Sequence, residues 1–581
     1  MIYLPLSVFS PVMKIPIITD LLQHRGRRRL RRLMRGYRYL KESNQLGRIT
    51  AVKEALTNTK LNQCERRASK LIFGAGHRNA ELIIRQYLLI RVGGLSLNQA
   101  LLHALGKTGS GVVHPLPPEW RTVVEQHGFE VAKIRSALAW YGYVVLLLVY
   151  GAASIALQLA DSVKEIIRPA FRGTGKFAYF NALTAGNLPQ PCKDGRSHDI
   201  ITWYRQWPGR VNELDTLCHG VKGVPTSAAQ GVPVVPVPSA IPPLTGIGAL
   251  LRFIGWGVVA SLLAIYDIFR GRWWHALLLN EASSAAVVRI HEANKLARDY
   301  LFHNSGWIYR SLWTYEAEKR GSRITFYFYS TNCEGFKRPD GYPPLQYGWQ
   351  AMSWSRYLVW DEHQADFVRR AVGDNANTAA VGPIWFHTSA EEAQGIPTNA
   401  VAVFDVQPMR DSRYQILGLD TEYYTPKTAN QFLSDIHTAL RKSGCTLVLK
   451  RKRKIGRLAH PQDQQFVEKM DGLPNVIAVN PGTSALRLIE DCVAVISMPF
   501  TSTALLGREL GKPSIYYDPH GVIQKDDRAA HGIEIVSGPE ELSEWLAAVV
   551  KLAADEDADL VGEAPSGSGK FNSGKVTAKQ G

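Results

Sequence analysis

Three consecutive hydroxyls, Thr501, Ser502 and Thr503, carry the most specific chemistry in this chain. They stand in and just after the turn Met498-Pro499-Phe500-Thr501-Ser502. An apolar Val/Ile run, Val493 to Ser497, precedes the turn and reads as a buried parallel strand. Thr503 to Leu510 has helical composition and stops at Gly511-Lys512-Pro513; Ser514 to Tyr517 then reads as the next strand. A turn that closes a strand and opens a helix exposes backbone N–H groups at the positive end of the helix dipole. With Ser497 and the three hydroxyls as further donors, the expected guest is a phosphate or diphosphate. The same residue types also serve as a plain helix cap. Glu509 lies two turns along the helix from Ser502, where it either accepts from a ribose hydroxyl or is simply exposed.

Two further features stand in the same half of the chain. Lys450, Arg451, Lys452, Arg453 and Lys454 follow directly on the strand Thr446 to Lys450. A cationic run is usually a solvated face, but one starting at the carboxyl end of a strand faces the crevice where open α/β sheets bind ligands. His460-Pro461 comes next, with His460 a candidate hydrogen-bond donor to a phosphate or nucleotide.

The elements that must position these groups alternate in two blocks. In the first, Lys176 to Phe180, Asp199 to Thr202, Ala276 to Leu279, Ile324 to Tyr329, Arg356 to Trp360 and Ala379 to Gly382 read as strands. Ala282 to Phe302 and a stretch ending at Val372 read as helices, and Val232 to Pro243 reads as a Pro-rich linker. In the second, the strands are Ala400 to Val406, Thr446 to Lys450, Val476 to Val479 and the pair around the hydroxyl turn. Its helices are Lys427 to Ser443, Ser484 to Glu490 and Glu540 to Lys551. The expected fold is α/β, two Rossmann-like domains facing each other across a cleft, similar to the GT-B kind of nucleotide-sugar glycosyltransferase. The expected boundaries are 1–136 (basic helical region), 137–174 (apolar helix and connector), 175–385 (acceptor domain with an apolar insertion near 241–266), 386–554 (donor-binding domain) and 555–581 (disordered tail). Gly173-Thr174-Gly175-Lys176 lacks the preceding strand of a phosphate loop and is discounted.

The formal charge of +17 points to anionic partners. His24 to Lys41 holds nine Arg/Lys and no acid, with Leu30, Leu33, Met34, Tyr37 and Leu40 at helical spacing, which predicts a basic amphipathic helix on an anionic membrane surface. No nucleic-acid reading module accompanies it. Ala137 to Ala160 has 24 residues without a charge, long enough for a bilayer. Ile241 to Tyr266 is broken by Arg252, which leaves 14 uncharged residues and fits an interfacial or re-entrant helix. Both runs also fit buried core helices. Met1 to Thr19, with three prolines and its positive charge behind it, is a poor signal peptide. The six cysteines (Cys64, Cys192, Cys218, Cys333, Cys445 and Cys492) form no C-x-x-C pair, which fits a reducing compartment.

Ser497-Met498-Pro499-Phe500-Thr501-Ser502-Thr503 followed by Gly511-Lys512-Pro513 resembles the bacterial surface-polysaccharide biosynthesis family named for its PFTS motif. Phe328 to Asn332, Tyr357 to Asp361, Val403 to Val406 and Lys450 to Lys454 extend the likeness over roughly residues 275–550, and more weakly over 175–275. The layout is distantly similar to capsule Kdo-transferases, bacterial sialyltransferases and CDP-glycerol glycerophosphotransferases. In those a Lys/His-Pro element and a Ser/Thr turn bind donor phosphates, whereas here nine residues separate Lys450 from His460. The resemblance implies a glycosyltransferase-like role, the transfer of a sugar from a nucleotide-activated donor to a lipid-linked or saccharide acceptor. The basic helix and the apolar runs would hold such an enzyme at the cytoplasmic face of the bacterial inner membrane, peripheral or monotopic, or with one or two membrane-inserted helices. The expected donor-binding set is Lys450, Lys452, Lys454, His460, Ser497, Thr501, Ser502, Thr503 and Glu509. An inverting reaction needs one base near the acceptor, and Glu334, Asp340, Asp361 and Glu362 are the loop candidates, with His363 and His387 behind them. No Asp-x-Asp motif stands in a suitable place, so neither metal nor cofactor is predicted beyond the nucleotide sugar. A CDP-polyol phosphotransferase of teichoic-acid type and a non-catalytic polysaccharide-assembly protein remain the alternatives.

Overall fold

In the computed structural model the described residues are 40, 43, 45–61, 66–106, 111–168, 176–190, 197–305, 308–385, 395–409, 423–451 and 459–562. The expected basic helix at His24 to Lys41 (save Leu40), Cys64, Cys192, the Gly173 to Gly175 run, His387, Lys452 to Lys454 and residues 563–581 lie outside them.

Two sheets organise the chain. The first has strands β1 (Phe177–Phe180), β2 (Thr216–His219), β3 (Ser227–Ala229), β4 (Val232–Pro236), β5 (Asp299–His303), β6 (Arg323–Tyr327), β7 (Tyr357–Val359) and β8 (Thr378–Ala380). They lie in the order β3-β4-β2-β1-β5-β6-β7-β8, parallel throughout except for the β3–β4 hairpin. The second has β9 (Ala400–Phe404), β10 (Thr446–Lys450), β11 (Val476–Val479), β12 (Ala494–Ser497), β13 (Ser514–Asp518) and β14 (Glu534–Ser537), all parallel, in the order β11-β10-β9-β12-β13-β14. This is the doubly wound arrangement 3-2-1-4-5-6. It follows from right-handed crossovers that first build outward on one side of β9 and then restart on the other. Strand order therefore reverses between β9 and β12 in the second sheet and between β1 and β5 in the first. The expected α/β class with two Rossmann-like units holds.

Seven helices matter below: α1 (Arg66–Phe73), α2 (Lys133–Ile167), α3 (Ile247–Phe269), α4 (Leu279–Ile290), α5 (Glu362–Val372), α6 (Pro461–Met470) and α7 (Ser502–Glu509). The amino-terminal helices form a layer on one face of the first sheet. Strand alternation shows this directly. Tyr300 and Phe302 of β5 join the core shared with these helices, while Leu301 between them faces the core of the other side. Seven of the twelve residues of α4 are buried and none is exposed, and the helix links this layer to α2 and α3 outside it. At Gly151 α2 approaches so closely that a Cβ would lie 2.6 Å from Leu279.

α2 and α3 run antiparallel. Trp140 meets Trp273 with ring centroids 5.1 Å apart, Gly257 abuts Ile155, and the Leu244 N–H donates to Ser162 Oγ at 3.1 Å. Both are long and apolar enough to cross a membrane. Each buries one side on the body along its full length: Phe253, Gly257, Ala260, Ala264 and Asp267 in α3, and Ser136 through Glu165 in α2. The opposite sides leave Ile134, Leu138, Val149, Leu157, Leu251, Val258, Leu262 and Phe269 exposed.

Several expectations are corrected. Asp199 to Thr202 is not a strand: Asp199 Oδ1 accepts from Ile201 and Thr202 N–H and caps the helix Ile200–Gln206, whose β-branched start is fully buried. Val232 to Pro243 is not all linker, because Val234 and Val235 of β4 pair with β2 although Pro233 and Pro236 lack a ladder donor. Ala276 to Leu279 is helical rather than extended, a fully buried apolar run in which periodicity carries no signal. The helix expected over Ala282 to Phe302 ends at Ile290, and its last part is the core strand β5. The second apolar run is not cut short at Arg252: α3 continues for 23 residues with that side chain exposed. The closing helix extends to Gly562, into the stretch expected as tail.

Candidate active site at the interdomain cleft

Strand β12 ends at Ser497, and the hydroxyl turn leaves it at the point where the second sheet reverses its strand order. Thr501 is the N-cap residue of α7, yet no side chain caps the helix. Its Oγ1 donates instead to the Met498 carbonyl at 3.0 Å and lies 3.1 Å from Thr503 Oγ1, which lies 2.8 Å from Ser497 Oγ. The hydroxyls thus form a chain along the turn rather than a cap. Tyr516 braces the turn from β13 by donating to the Thr501 carbonyl at 2.8 Å, and Tyr424 donates to the Pro499 carbonyl. α7 sits close on its sheet because position 507 is glycine: a Cβ there would lie 2.7 Å from Val495 Cγ2. The helix N-terminus is thereby held at the crevice.

The first domain closes over this turn. Thr331, just beyond β6, donates its backbone N–H to Ser502 Oγ at 2.9 Å, and its hydroxyl lies 3.1 Å from the same oxygen. The carboxyl ends of β6 and β12 therefore face one another. The loop after Thr331 crosses to the second domain. Phe336 packs on Phe500 with centroids 5.0 Å apart and on Tyr423 and Tyr424. The Lys337 N–H and the Tyr342 hydroxyl donate to Asp527, at 2.8 and 3.1 Å, and Arg528 lies 3.7 Å over the Tyr342 ring.

Asp361 follows β7 and does two things. Oδ1 caps α5 by accepting from Gln364 N–H at 3.0 Å, and both oxygens lie 2.8 Å from His531 Nδ1 in the second domain. Arg508 of α7 approaches the same carboxylate to 3.7 Å. Burial alone raises the Asp361 pKa; the hydrogen bond and charge of His531 outweigh it, and the carboxyl sits below its usual range. Glu334 is nearly buried between Arg370 of its own domain and Arg528, at 3.3 Å, of the other. Two of the four candidate bases are therefore ionic ties across or beside the cleft. Asp340 is exposed in the crossing loop, and Glu362 is exposed on the first turn of α5, 3.4 Å from Arg369.

The cationic run divides. Lys450 is buried and its Nζ donates to the Pro481 carbonyl at 3.2 Å, beyond β11 and away from the β9/β12 switch. Arg451 bridges two fully buried carboxylates, Asp405 after β9 and Asp463 of α6, at 2.9 Å each. Burial pushes Asp405 up to about 6 against the pull of Arg451, and Asp463 also rises through burial. His460 is the N-cap of α6, its Nδ1 accepting from Gln462 N–H at 3.3 Å. Glu509 is exposed at the far end of α7. Thus Ser497, Thr501, Ser502 and Thr503 cluster at the switch point, whereas Lys450 and His460 are engaged one strand or more away.

Sequence reasoning missed Thr331, Arg508, Arg528 and His531. His531 stands in left-handed backbone at φ 53° before Gly532, and a His-Gly pair leading into a strand was its only signal. At the first sheet's own switch point stands His303, missed as well. Burial lowers it to about 4, and its Nδ1 accepts from Ser305 N–H at 3.3 Å while Nε2 lies 3.3 Å from the Ala182 carbonyl, so both nitrogens are engaged.

Solved structures similar to this chain include the UDP-GlcNAc 2-epimerase from Methanocaldococcus jannaschii (8% identity, TM-score 0.33, covering 65% of this chain and 92% of that one). They also include the sucrose-phosphate synthase from Thermosynechococcus elongatus (11%, TM-score 0.33, 65% and 90%). A third is Os79 from O. sativa in complex with UDP and deoxynivalenol-3-glucoside (12%, TM-score 0.32, 66% and 92%). No curated protein matches the sequence. Residues 257–546, which hold the last part of α3, all of β5 to β14 and the residues that meet across the cleft, match the model of the polysaccharide biosynthesis PFTS motif proteins, and through this region the chain belongs to that family.

Proposed function

We propose that the protein is a glycosyltransferase-like enzyme of surface-polysaccharide synthesis of the capsule or O-antigen type, moving a sugar from a nucleotide-activated donor to a membrane-associated acceptor with inversion. The observation that carries this reading is the position of the hydroxyl turn: uncapped helix N-terminus, strand-order reversal and an opposing domain meet at one point. The donor diphosphate lies at the N-terminus of α7. Its backbone amides and the Ser502 and Thr503 hydroxyls hold the leaving phosphate and stabilise the charge that grows as the glycosidic bond breaks. Thr331 N–H, from the facing domain, donates to Ser502 Oγ and holds that hydroxyl in place, leaving its own proton for the phosphate. In this reading protein groups, without a metal or cofactor, neutralise the leaving group. The base is one of Asp340, Glu362, Asp361 and Glu334; the first two are not engaged across the cleft. The apolar outer sides of α2 and α3 lie in the headgroup region at the cytoplasmic face, because helices packed on the body along their full length suit an interfacial placement.

Thermal melting with CMP, CDP, UDP and GDP tests the donor site, since a ligand of the folded state raises the midpoint. One nucleotide is expected to stabilise the wild type and to lose its effect in Ser502→Ala/Thr503→Ala. Release of nucleoside monophosphate with a transferred phospho-polyol would replace the sugar by the polyol-phosphate reading. Polysaccharide production that survives this double substitution would favour the assembly reading.

A further inference from the structure

An open cavity of about 470 Å3 lies where α1, α3 and α4 meet, far in sequence from the hydroxyl turn. Lys70, Leu71, Arg252, Trp256, Arg289 and Ile290 line it. Three of these carry positive charge. Lys70 and Arg252 are exposed, and among the described residues neither has a carboxylate partner; Arg252 Nε donates to the Gly248 carbonyl at 3.3 Å. Arg289 is positioned from below: Nη1 donates to the Leu71 carbonyl at 3.1 Å, and Glu316 stands 3.7 Å from Nε. Its Nη2 is buried with no hydrogen-bond partner among the described residues. Glu316 offsets one charge, so the cavity keeps an excess of about two cations. Trp256 closes one wall and donates its indole N–H to the same Leu71 carbonyl at 3.1 Å.

The surroundings define the guest. Leu251, Ile254, Val258 and Leu262 run along the exposed side of α3 beside Arg252, and Leu71 on α1 is also exposed. Three cations lining one cavity fit a phosphate, and Arg is suited to its geometry. An apolar stripe starting at the same rim fits acyl or prenyl chains, with Trp256 in the position that interfacial tryptophans take. We propose that this cavity binds the phosphate of an anionic membrane lipid, with the lipid chains against α3. The site stands apart from the nucleotide-binding turn and does not depend on the transfer reaction. It gives the membrane-facing helices a specific anchor.

Flotation of the full chain with phosphatidylcholine vesicles, with and without phosphatidic acid, tests it. The wild type is expected to float with neutral vesicles and to bind more tightly when phosphatidic acid is present. Lys70→Gln/Arg252→Gln removes two exposed cations and should weaken binding to the acidic vesicles by about fivefold per cation, with neutral binding unchanged. Arg441→Gln/Lys442→Gln, an equal charge loss at exposed positions of the second domain, should leave both unchanged. Equal loss in the two variants would mean diffuse attraction and would overturn the proposal, as would a Lys70/Arg252 variant that binds like the wild type. Inorganic phosphate that competes as well as the lipid phosphate would assign the cavity to a soluble anion instead. Any nucleotide-dependent rise in melting midpoint should be retained in the Lys70/Arg252 variant, which separates this site from the donor site.

Discussion

Asp361→Asn isolates the electrostatic part of domain closure. The substitution keeps the shape of the side chain and its capping of α5, because Asn caps as well as Asp. What it removes is the charge facing His531 at 2.8 Å and Arg508 at 3.7 Å. The Asp361 side chain is 20% exposed and that of His531 2%, so the first pair is largely shielded from water. A charge-assisted hydrogen bond contributes about 1.5–3 kcal/mol. The Arg508 side chain is 39% exposed, and its pair adds at most about 1 kcal/mol. The sum, about 1.5–4 kcal/mol, means that the closed-to-open ratio should fall by about 10- to 1,000-fold in Asp361→Asn. Asp361→Ala also loses the cap, at a further cost of about 1 kcal/mol. Small-angle scattering reads the opening as an increased radius of gyration, and limited proteolysis reads it as faster cleavage of the loop at 330–346. The Asp361 carboxyl titrates below its unfolded value. Its contribution is therefore complete above the ordinary Asp pKa of about 3.9 and is lost as pH falls through the lower folded value. In acid the wild type should come to resemble the Asn variant. An Asp361→Asn protein as compact and as protease-resistant as the wild type at neutral pH would refute the latch.

Ser502→Ala deprives the Thr331 N–H of its acceptor and should weaken both closure and nucleotide binding, the latter about fivefold or more by calorimetry, on the scale of about 1 kcal/mol per hydrogen bond. Thr503→Val, equal in shape, loses contacts to Ser497 and Thr501 and should lower stability by about 1–2 kcal/mol, read by denaturant melts of the variant against the wild type. The raised Asp405 pKa means that the folded state takes up a proton first. Its contribution is thus complete below the ordinary Asp pKa of about 3.9 and is lost as pH rises through about 6, and Asp405→Asn should flatten that part of the melting profile. Arg451→Gln leaves two buried carboxylates without their cation and should cost about 3–5 kcal/mol in chemical denaturation. Leu262→Glu, on the exposed side of α3, should abolish flotation with neutral vesicles without moving the melting midpoint.

The second domain was legible in the sequence because its strands are short Val/Ile/Leu runs, each followed by an amphipathic helix with its own stop. β9, β10, β12 and β13 each fall within one or two residues of expectation. The first domain was less legible where burial removed periodicity. Ile200 to Tyr204 and Trp274 to Leu279 are buried on all sides, so neither the period of a helix nor that of a strand survives in their composition. The hydroxyl turn could be found because its chemistry is local. The Asp361–His531 pair could not, because its residues are 170 positions apart and meet only through domain packing. Proximity to a strand end also overstated the cations: Lys450 and Arg451 stand at the expected edge, but buried acceptors within the fold hold them there.

The central claim is that the donor phosphates sit on the hydroxyl turn. A crystal structure of the full chain soaked with the nucleoside diphosphate that raises its melting midpoint tests this most directly. The account predicts phosphate oxygens about 3 Å from the backbone nitrogens at the start of α7 and from the Ser502 and Thr503 hydroxyls. A nucleotide seated instead at the β1/β5 switch of the first sheet, with the turn at Thr501 to Thr503 untouched, would contradict it.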